Sequence, residues 1–301
     1  MTLRLLFCLA AAWGAAVATP LHAATLRIAS AFDPQTMDPH ALALLYHTRV
    51  SVQIYEGLVN RDEQFRLEPS LAVSWQATTP TTWRFRLRPG VLFHDGTPFT
   101  ADDAVFSFER ALATPSQRAF QLKGVNGVRK VDELTIELLL DAPDAVLPDK
   151  VQQVAMMSKA WCVKHGVERA QDFNAKQETY AVRNANGTGP YALERFEPDV
   201  RTVLKRNPHW WGWRDAKRAG NVDEITLVAI RSDATRLAAL VSGEIDLVLD
   251  PPVQDVERLK REPAIKLMQV TDLGQQYLVF DVARDELQDS DAKGRNPFKD
   301  P

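Results

Sequence analysis

The sequence predicts an α/β fold, and two stretches carry most of that prediction. A strand pattern at 225–230, a helix pattern that Asp233 caps and a second strand pattern at 245–249 follow one another closely. A helix between two neighbouring strands is typical of a parallel crossover. In the stretch TTWRFRLR, at 81–88, large apolar residues alternate with arginines, which is the period of a half-buried strand. The chain has 301 residues and is 45% hydrophobic, so it can bury a substantial core.

The N-terminal residues predict a secretory signal peptide. Arg4 precedes an apolar run at 5–17, and small residues continue up to Ala24. This run is too short for a stable membrane anchor. We therefore expect cleavage after Ala23 or Ala24 and export of the mature chain.

A short strand and a proline-rich loop come next. Residues 25–29 predict the strand, and the loop SAFDPQTMDPH follows it. Asp38 and the proline after it are expected to open a helix that buries Tyr46 and Val50.

The stretch 81–111 is tightly patterned but carries no obvious catalytic group. Thr100 is expected to cap a helix, with Asp103 completing a capping box. Residues 131–140 predict a partner strand whose glutamate faces the arginines of 81–88. We interpret those arginines as a solvated strand face rather than a nucleic-acid site, because stacked aromatic residues are missing beside them.

Loops at the carboxyl ends of parallel strands are candidates for ligand binding, since ligands bind in the crevice there. Asp250 and Pro251 follow the second strand of the crossover. The loop at 30–38 joins them if the first strand belongs to the same sheet. Asp250 can equally be a turn or helix cap, and both interpretations stay open.

Several functional classes lack support in the sequence. The formal charge of −3 gives no general reason to expect nucleic acid or an anionic membrane as partner. Common catalytic and nucleotide-binding motifs do not occur. Cys162 and His165 form one isolated pair, so a buried thiol is expected rather than a metal site. His94 and Asp95 sit in a turn, and turn chemistry is favoured over catalysis.

Ordered motifs along nearly the whole chain resemble the family 5 extracellular solute-binding proteins of bacterial ABC importers, the dipeptide-, oligopeptide- and nickel-binding group. The motifs are TLRIA with TMDPH, IYEGLV, LEPSLAVSW, WRFRLRPGVLFHDGTPFTADDAVFSFERA, NGTGPY, RNPHWWG, ALVSGEIDLV and NPFKDP. The resemblance implies a fold like the type II periplasmic binding proteins, in which two lobes close on a ligand. The stretch 81–111 would then be architectural.

The resemblance also implies a division of the chain. Residues 1–23 would be the signal peptide, 24–70 and 185–272 the mixed-sheet core of lobe I, and 71–184 a capping subdomain of hairpin and helix. Residues 273–301 would form the hinge and the start of lobe II. Family members continue into a complete second lobe, so we expect the chain to be truncated, with most of that lobe beyond Pro301.

The implied function is the periplasmic substrate-binding component of an ABC importer, which captures peptides and delivers them to the membrane permease. The resemblance implies neither enzymatic activity nor a cofactor, and a monomer for the complete protein. Carried over by position, the ligand-binding residues of the chain are Phe32, Asp33, Asp250, Pro251 and, at the hinge, Tyr277. The open alternatives are a nickel, haem or other non-peptide solute, a non-functional remnant, and an exported hydrolase using His94 and Asp95.

Overall fold

A computed structural model describes residues 24–218, 220–269, 277–288, 290–291 and 293–299. The predicted signal peptide and the first part of the predicted hinge lie outside the described residues. The chain divides into two compact units, the first ending at Val253 and the second beginning at Gln254. None of the helices in the described part of the chain has the length and apolar character needed to cross a bilayer.

A five-stranded mixed sheet organises the first unit. Its strands are β1 (Thr25–Ser30), β8 (Tyr191–Glu197), β9 (Arg201–Arg206), β10 (Glu224–Ala229) and β11 (Leu247–Val248), in the order β11-β1-β10-β9-β8. Strand β1 pairs in parallel with both β10 and β11, and the remaining pairs are antiparallel. The predicted α/β class and the parallel crossover are confirmed, and the first strand lies between the two crossover strands.

Two helices adjoin this sheet, and the N-terminus of each differs from the prediction. Helix α1 (Leu45–Ile54) does not start at Asp38. The carboxylate of Asp38 is buried and accepts hydrogen bonds from both terminal nitrogens of Arg110, at 2.8 and 2.7 Å, so it is not free to cap a helix. Helix α6 (Asp233–Val241) is capped by Ser232, whose hydroxyl accepts from a backbone N–H, rather than by Asp233.

An antiparallel four-stranded sheet covers the predicted capping region. Its strands are β4 (Ala72–Thr79), β5 (Thr82–Leu87), β6 (Val125–Asp132) and β7 (Thr135–Leu140), in the order β4-β5-β7-β6, and a separate pair is formed by β2 (Val59–Arg61) and β3 (Leu67–Pro69). The predicted pairing is confirmed, because Arg84 of β5 lies opposite Glu137 of β7 and forms a 2.6 Å ion pair with it. The division into core and capping subdomain stays a prediction.

The predicted capping region also contains four helices, of which α2 packs against β6 and β7 of this sheet. They are α2 (Ala101–Leu112), α3 (Leu147–Val151), α4 (Lys159–His165) and α5 (Tyr180–Arg183). The predicted capping box of α2 is confirmed: Asp103 accepts a 2.9 Å hydrogen bond from the backbone N–H of Thr100. Helix α2 and this sheet share a hydrophobic core, in which Phe85 is fully buried. Trp83 is only partly buried there, although the alternation at 81–88 places both residues on the buried face.

The second unit contains the short helix α7 (Val256–Leu259). The apolar runs at 265–269 and 277–282 have strand composition, but neither is a strand in the structure. Residues 277–280 are exposed instead. An apolar run forms a stable strand only where a neighbouring strand takes up its backbone hydrogen bonds, and the described part of this unit supplies none.

Candidate ligand-binding site at the carboxyl end of the five-stranded sheet

Four loops of the first unit meet at one end of the five-stranded sheet. Three of these loops follow β1, β10 and β11, which are parallel and therefore have their carboxyl ends at the same edge of the sheet. The fourth is the turn between β8 and β9, because β9 runs antiparallel to β10. The loop at 30–38 therefore lies in the predicted position.

An aromatic pair stands at this end. Phe32, in the loop after β1, stacks on Tyr46 of α1 with ring centroids 5.3 Å apart. The side-chain amide of Gln35 donates to the Tyr46 hydroxyl at 3.2 Å and ties the loop to the helix. The Phe32 side chain remains 61% exposed, so a large apolar surface is held in place but open to a ligand.

A charged pair stands beside it. Asp250 follows β11 and accepts a two-pronged hydrogen bond from the guanidinium of Arg49 on α1. The backbone of Asp250 is in the left-handed region, at φ 52°, which Asp and Asn tolerate better than most residues. The hydrogen bonds from Arg49 lower the pKa of Asp250. Pro251, half-buried, comes directly after it.

Helix α1 positions both pairs. Tyr46 and Arg49 are three residues apart, and side chains at this spacing are neighbours on a helix surface. Tyr46 contacts Phe32, which follows β1, and Arg49 binds Asp250, which follows β11. One helix therefore holds an aromatic ring and a carboxylate at the same end of the sheet.

Asp33 was predicted to contact ligand, and the structure gives it a structural task. One of its carboxylate oxygens accepts from the backbone N–H of Gln35 at 2.7 Å, and the other from that of Asp199 at 3.0 Å. The side chain is buried, and this burial raises its pKa. Asp33 thus fastens the loop after β1 to the β8–β9 turn, and a direct ligand contact stays a prediction.

Two further Arg–Asp pairs lie at the same end of the sheet. Arg231, just after β10, pairs with Asp199 at 2.7 Å, and Arg236 of α6 pairs with Asp233 at 2.5 Å. Together with Arg49 and Asp250 they make three acids matched by three arginines. The charges within these three pairs are therefore balanced.

The fifth predicted residue, Tyr277, belongs to the second unit. Its side chain is exposed. Its contact with a ligand stays a prediction.

The groups considered for catalysis or metal binding are engaged elsewhere. His94 receives the backbone N–H of Gly187 at one ring nitrogen, at 3.3 Å, and lies 3.1 Å from the carbonyl oxygen of Gly189 at the other. Asp95 accepts from the amide of Asn186 at 2.9 Å. Cys162 is a buried free thiol, as predicted. Within the described residues, no three His, Cys, Asp or Glu side chains are grouped to hold a metal ion.

The tryptophans near 210 pack a loop around a residue that the sequence did not single out. Glu56 is the acceptor for the indole N–H groups of Trp210 and Trp211, each at 3.1 Å, and for the hydroxyl of Thr188 at 2.9 Å. Burial raises the pKa of Glu56 to about 7. The loop that carries Thr188 packs closely against the end of α1, because a Cβ on Gly187 would lie 2.0 Å from the carbonyl oxygen of Ile54.

Sequence reasoning did not identify Arg49 or assign Tyr46 to the site. Their three-residue spacing on a predicted helix was a signal, but only the tertiary contacts with Phe32 and Asp250 give it meaning. Asp250 pairs with a residue 201 positions away, which no local pattern reveals.

Comparison with known proteins assigns the chain to a family. Residues 66–301 match the family model of the middle part of bacterial extracellular solute-binding proteins, family 5. The chain is 28% identical over 250 residues to the periplasmic oligopeptide-binding protein OppA of Salmonella typhimurium, covering 76% of this chain and 44% of that protein. It is 27% identical over 300 residues to the dipeptide-binding protein of Escherichia coli, covering 91% of this chain and 53% of the relative.

The structure agrees with a solved relative. The periplasmic binding protein DppA of Helicobacter pylori, in complex with the peptide STSA, superimposes with a TM-score of 0.67 at 26% identity, over 79% of this chain and 49% of that one. The chain thus spans about half the length of the relatives that it matches. The neighbours confirm the predicted likeness to type II periplasmic binding proteins. The chain belongs to the family 5 bacterial extracellular solute-binding proteins.

Proposed function

We propose that the chain acts in the periplasm as the substrate-binding component of an ABC importer and captures peptides. The observation that carries the proposal is that α1 holds both the exposed Phe32 ring and the Asp250 carboxylate at the carboxyl end of the sheet. Two relatives reported above are named as oligopeptide- and dipeptide-binding proteins. Delivery to membrane permease subunits is part of the same proposal.

The five predicted site residues take different roles in it. Phe32 supplies an apolar contact, and Asp250 accepts hydrogen bonds from donors that a peptide carries at its backbone, its amino terminus or its side chains. Pro251 restricts the backbone that places Asp250. Asp33 fixes the loop that carries Phe32. Tyr277 is retained as a predicted ligand contact.

Export precedes this function. The apolar run that follows Arg4 supports an N-terminal signal that is removed near Ala23. Mass spectrometry of periplasmic material from an expressing strain tests this step. The expected mature N-terminus is Ala24 or Thr25, and a retained Met1 would contradict the export pathway proposed here.

Peptide binding is tested directly with the 301-residue chain and a tri-alanine peptide, by ligand-observed NMR, which detects millimolar dissociation constants. Phe32→Ala should weaken binding about fivefold, since an aromatic contact contributes ~1 kcal/mol. Phe120→Ala is the matched control, because Phe120 is similarly exposed, at 69%, but lies between α2 and β6. Absence of peptide binding, or equal effects of the two substitutions, would refute the proposal.

A further inference from the structure

The Arg–Asp pairs at the candidate site are not symmetric. The Asp250 side chain is 69% exposed, against 30% for Arg49. In the second pair Asp233 is 55% exposed, against 2% for Arg236. The carboxylate is therefore the outer member in two of the three pairs, and only Arg231 is more exposed than its partner Asp199. A ligand that approaches Asp250 or Asp233 meets negative charge before it meets the arginine beneath.

The geometry of the Asp250 pair leaves acceptor capacity at the surface. A two-pronged guanidinium occupies one lone pair on each carboxylate oxygen. The second lone pair of each oxygen is left to accept from a ligand, and the low pKa keeps Asp250 ionised at neutral pH. An anionic ligand would instead have to displace Asp250 from Arg49, which costs both hydrogen bonds of the pair.

The aromatic rings of this site favour the same ligand chemistry. Phe32, Tyr46 and Arg49 line one cavity, and the exposed Phe32 ring stacks on Tyr46. A cation bound at Asp250, the partner of Arg49, is therefore held at a site that also presents aromatic faces, which attract positive charge.

From these contacts we infer that the site selects peptides that carry a cationic side chain, an ammonium or a guanidinium, with Asp250 as the accepting group, Phe32 alongside it and Arg49 as the inner partner that holds Asp250. The inference rests on the proposed peptide-binding function and narrows its substrate class. It also gives Arg49 a defined role in specificity.

The test compares three tripeptides, Ala-Lys-Ala, Ala-Gln-Ala and Ala-Glu-Ala, binding to the 301-residue chain, with dissociation constants from ligand-observed NMR. The lysine peptide should bind about tenfold more tightly than the glutamate peptide, which corresponds to ~1.4 kcal/mol. In Asp250→Asn the ratio should fall to about one. Asn tolerates the left-handed backbone at this position, so the loop is retained, and a thermal melt checks the fold.

A control variant sharpens the result. Asp246→Asn is the matched control, because Asp246 forms a two-pronged pair with Arg27 at the opposite end of β1 and β11, and it should keep the wild-type ratio.

The outcomes separate the inference from the function beneath it. A wild-type ratio of about one, a preference for the glutamate peptide, or an unchanged ratio in Asp250→Asn would overturn the inference while peptide binding itself stands. Failure of all three peptides to bind would overturn the proposed function and the inference together.

Discussion

The indole nitrogen of Trp210 donates a 3.1 Å hydrogen bond to the carboxylate of Glu56, which lies 154 positions earlier in the chain. The neighbouring Trp211 donates to the same oxygen, and the guanidinium of Arg88 stacks 3.7 Å from the centre of a Trp211 ring. Glu56 is half-buried, and its carboxylate accepts hydrogen bonds from neutral donors. These contacts hold the loop after β9 against the segment that follows α1.

This burial predicts an unusual pH dependence. The pKa of Glu56 is raised from 4.5 to about 7, so the folded state holds its proton more tightly than the unfolded state. The contribution of Glu56 to the free energy of unfolding is therefore complete below pH 4.5 and is lost as the pH rises through 7, a change of ~3 kcal/mol. Urea unfolding of wild type and Glu56→Gln from pH 4.5 to 7.5 measures it as the change in their difference.

Glu137 supplies the control of opposite sign. Hydrogen bonds from Arg129 and Arg84 lower its pKa, so its contribution is present above the unfolded pKa and is lost as the pH falls. The wild-type advantage over Glu137→Gln should thus shrink in acid. A Glu56→Gln difference that does not change with pH would show that the buried carboxyl keeps its ordinary pKa.

A second prediction concerns the buried hydroxyl of Thr202 in β9. The Thr202 hydroxyl oxygen is buried without a hydrogen-bond partner. The hydroxyl group of Thr188, in contrast, donates a 2.9 Å hydrogen bond to Glu56. Thr202→Val should raise the free energy of unfolding by ~1 kcal/mol, because a methyl group has no unmet hydrogen bond. Thr188→Val should lower it by ~1–2 kcal/mol, since an acceptor on Glu56 loses its donor. Thermal melts of the two variants should shift in opposite directions, and parallel shifts would argue against this assignment.

The buried ion pair of Asp38 and Arg110 carries the third prediction. Burial alone would raise the pKa of Asp38, but the charge and hydrogen bonds of Arg110 outweigh it and lower the pKa to about 2. Asp38→Asn leaves the fully buried guanidinium without its counter-charge and should cost ~3–5 kcal/mol by urea unfolding. Glu178→Gln, in the exposed pair with Arg183, is the control and should cause no measurable change. A small loss at Asp38 would mean that Arg110 finds another acceptor.

The fourth prediction compares two aromatic residues of β5. Phe85 is fully buried, so Phe85→Ala should cost ~3–5 kcal/mol. Trp83 is partly buried and donates its indole N–H to the carbonyl of Asp144 at 3.1 Å, so Trp83→Ala should cost less, because part of its ring is hydrated in the folded state as well. Chemical unfolding of both variants ranks them. A larger loss at Trp83 would place the ring deeper in the core than the structure does.

Local patterns in the sequence were sufficient for many elements of the first unit. The strands at Thr25–Ser30, Thr82–Leu87 and Glu224–Ala229 follow from apolar patterns within a few positions. The capping box of α2 follows from a three-residue spacing, and the Arg84–Glu137 pairing from two alternating stretches whose paired residues are 53 positions apart. Failures came where that local information was incomplete: the apolar runs at 265–269 and 277–282 have strand composition but no described partner strand.

The candidate site depends on both levels. The sequence by itself placed Phe32, Asp33, Asp250 and Pro251 after strands, because parallel strands bring their carboxyl ends to one edge of a sheet. Only the tertiary structure decided that Asp33 is buried and accepts hydrogen bonds from two backbone N–H groups. It also decided that Arg49 binds Asp250. The physical reason is that burial and charge pairing arise between residues up to 201 positions apart, and such contacts depend on how the whole chain packs, not on the neighbours of either residue in sequence.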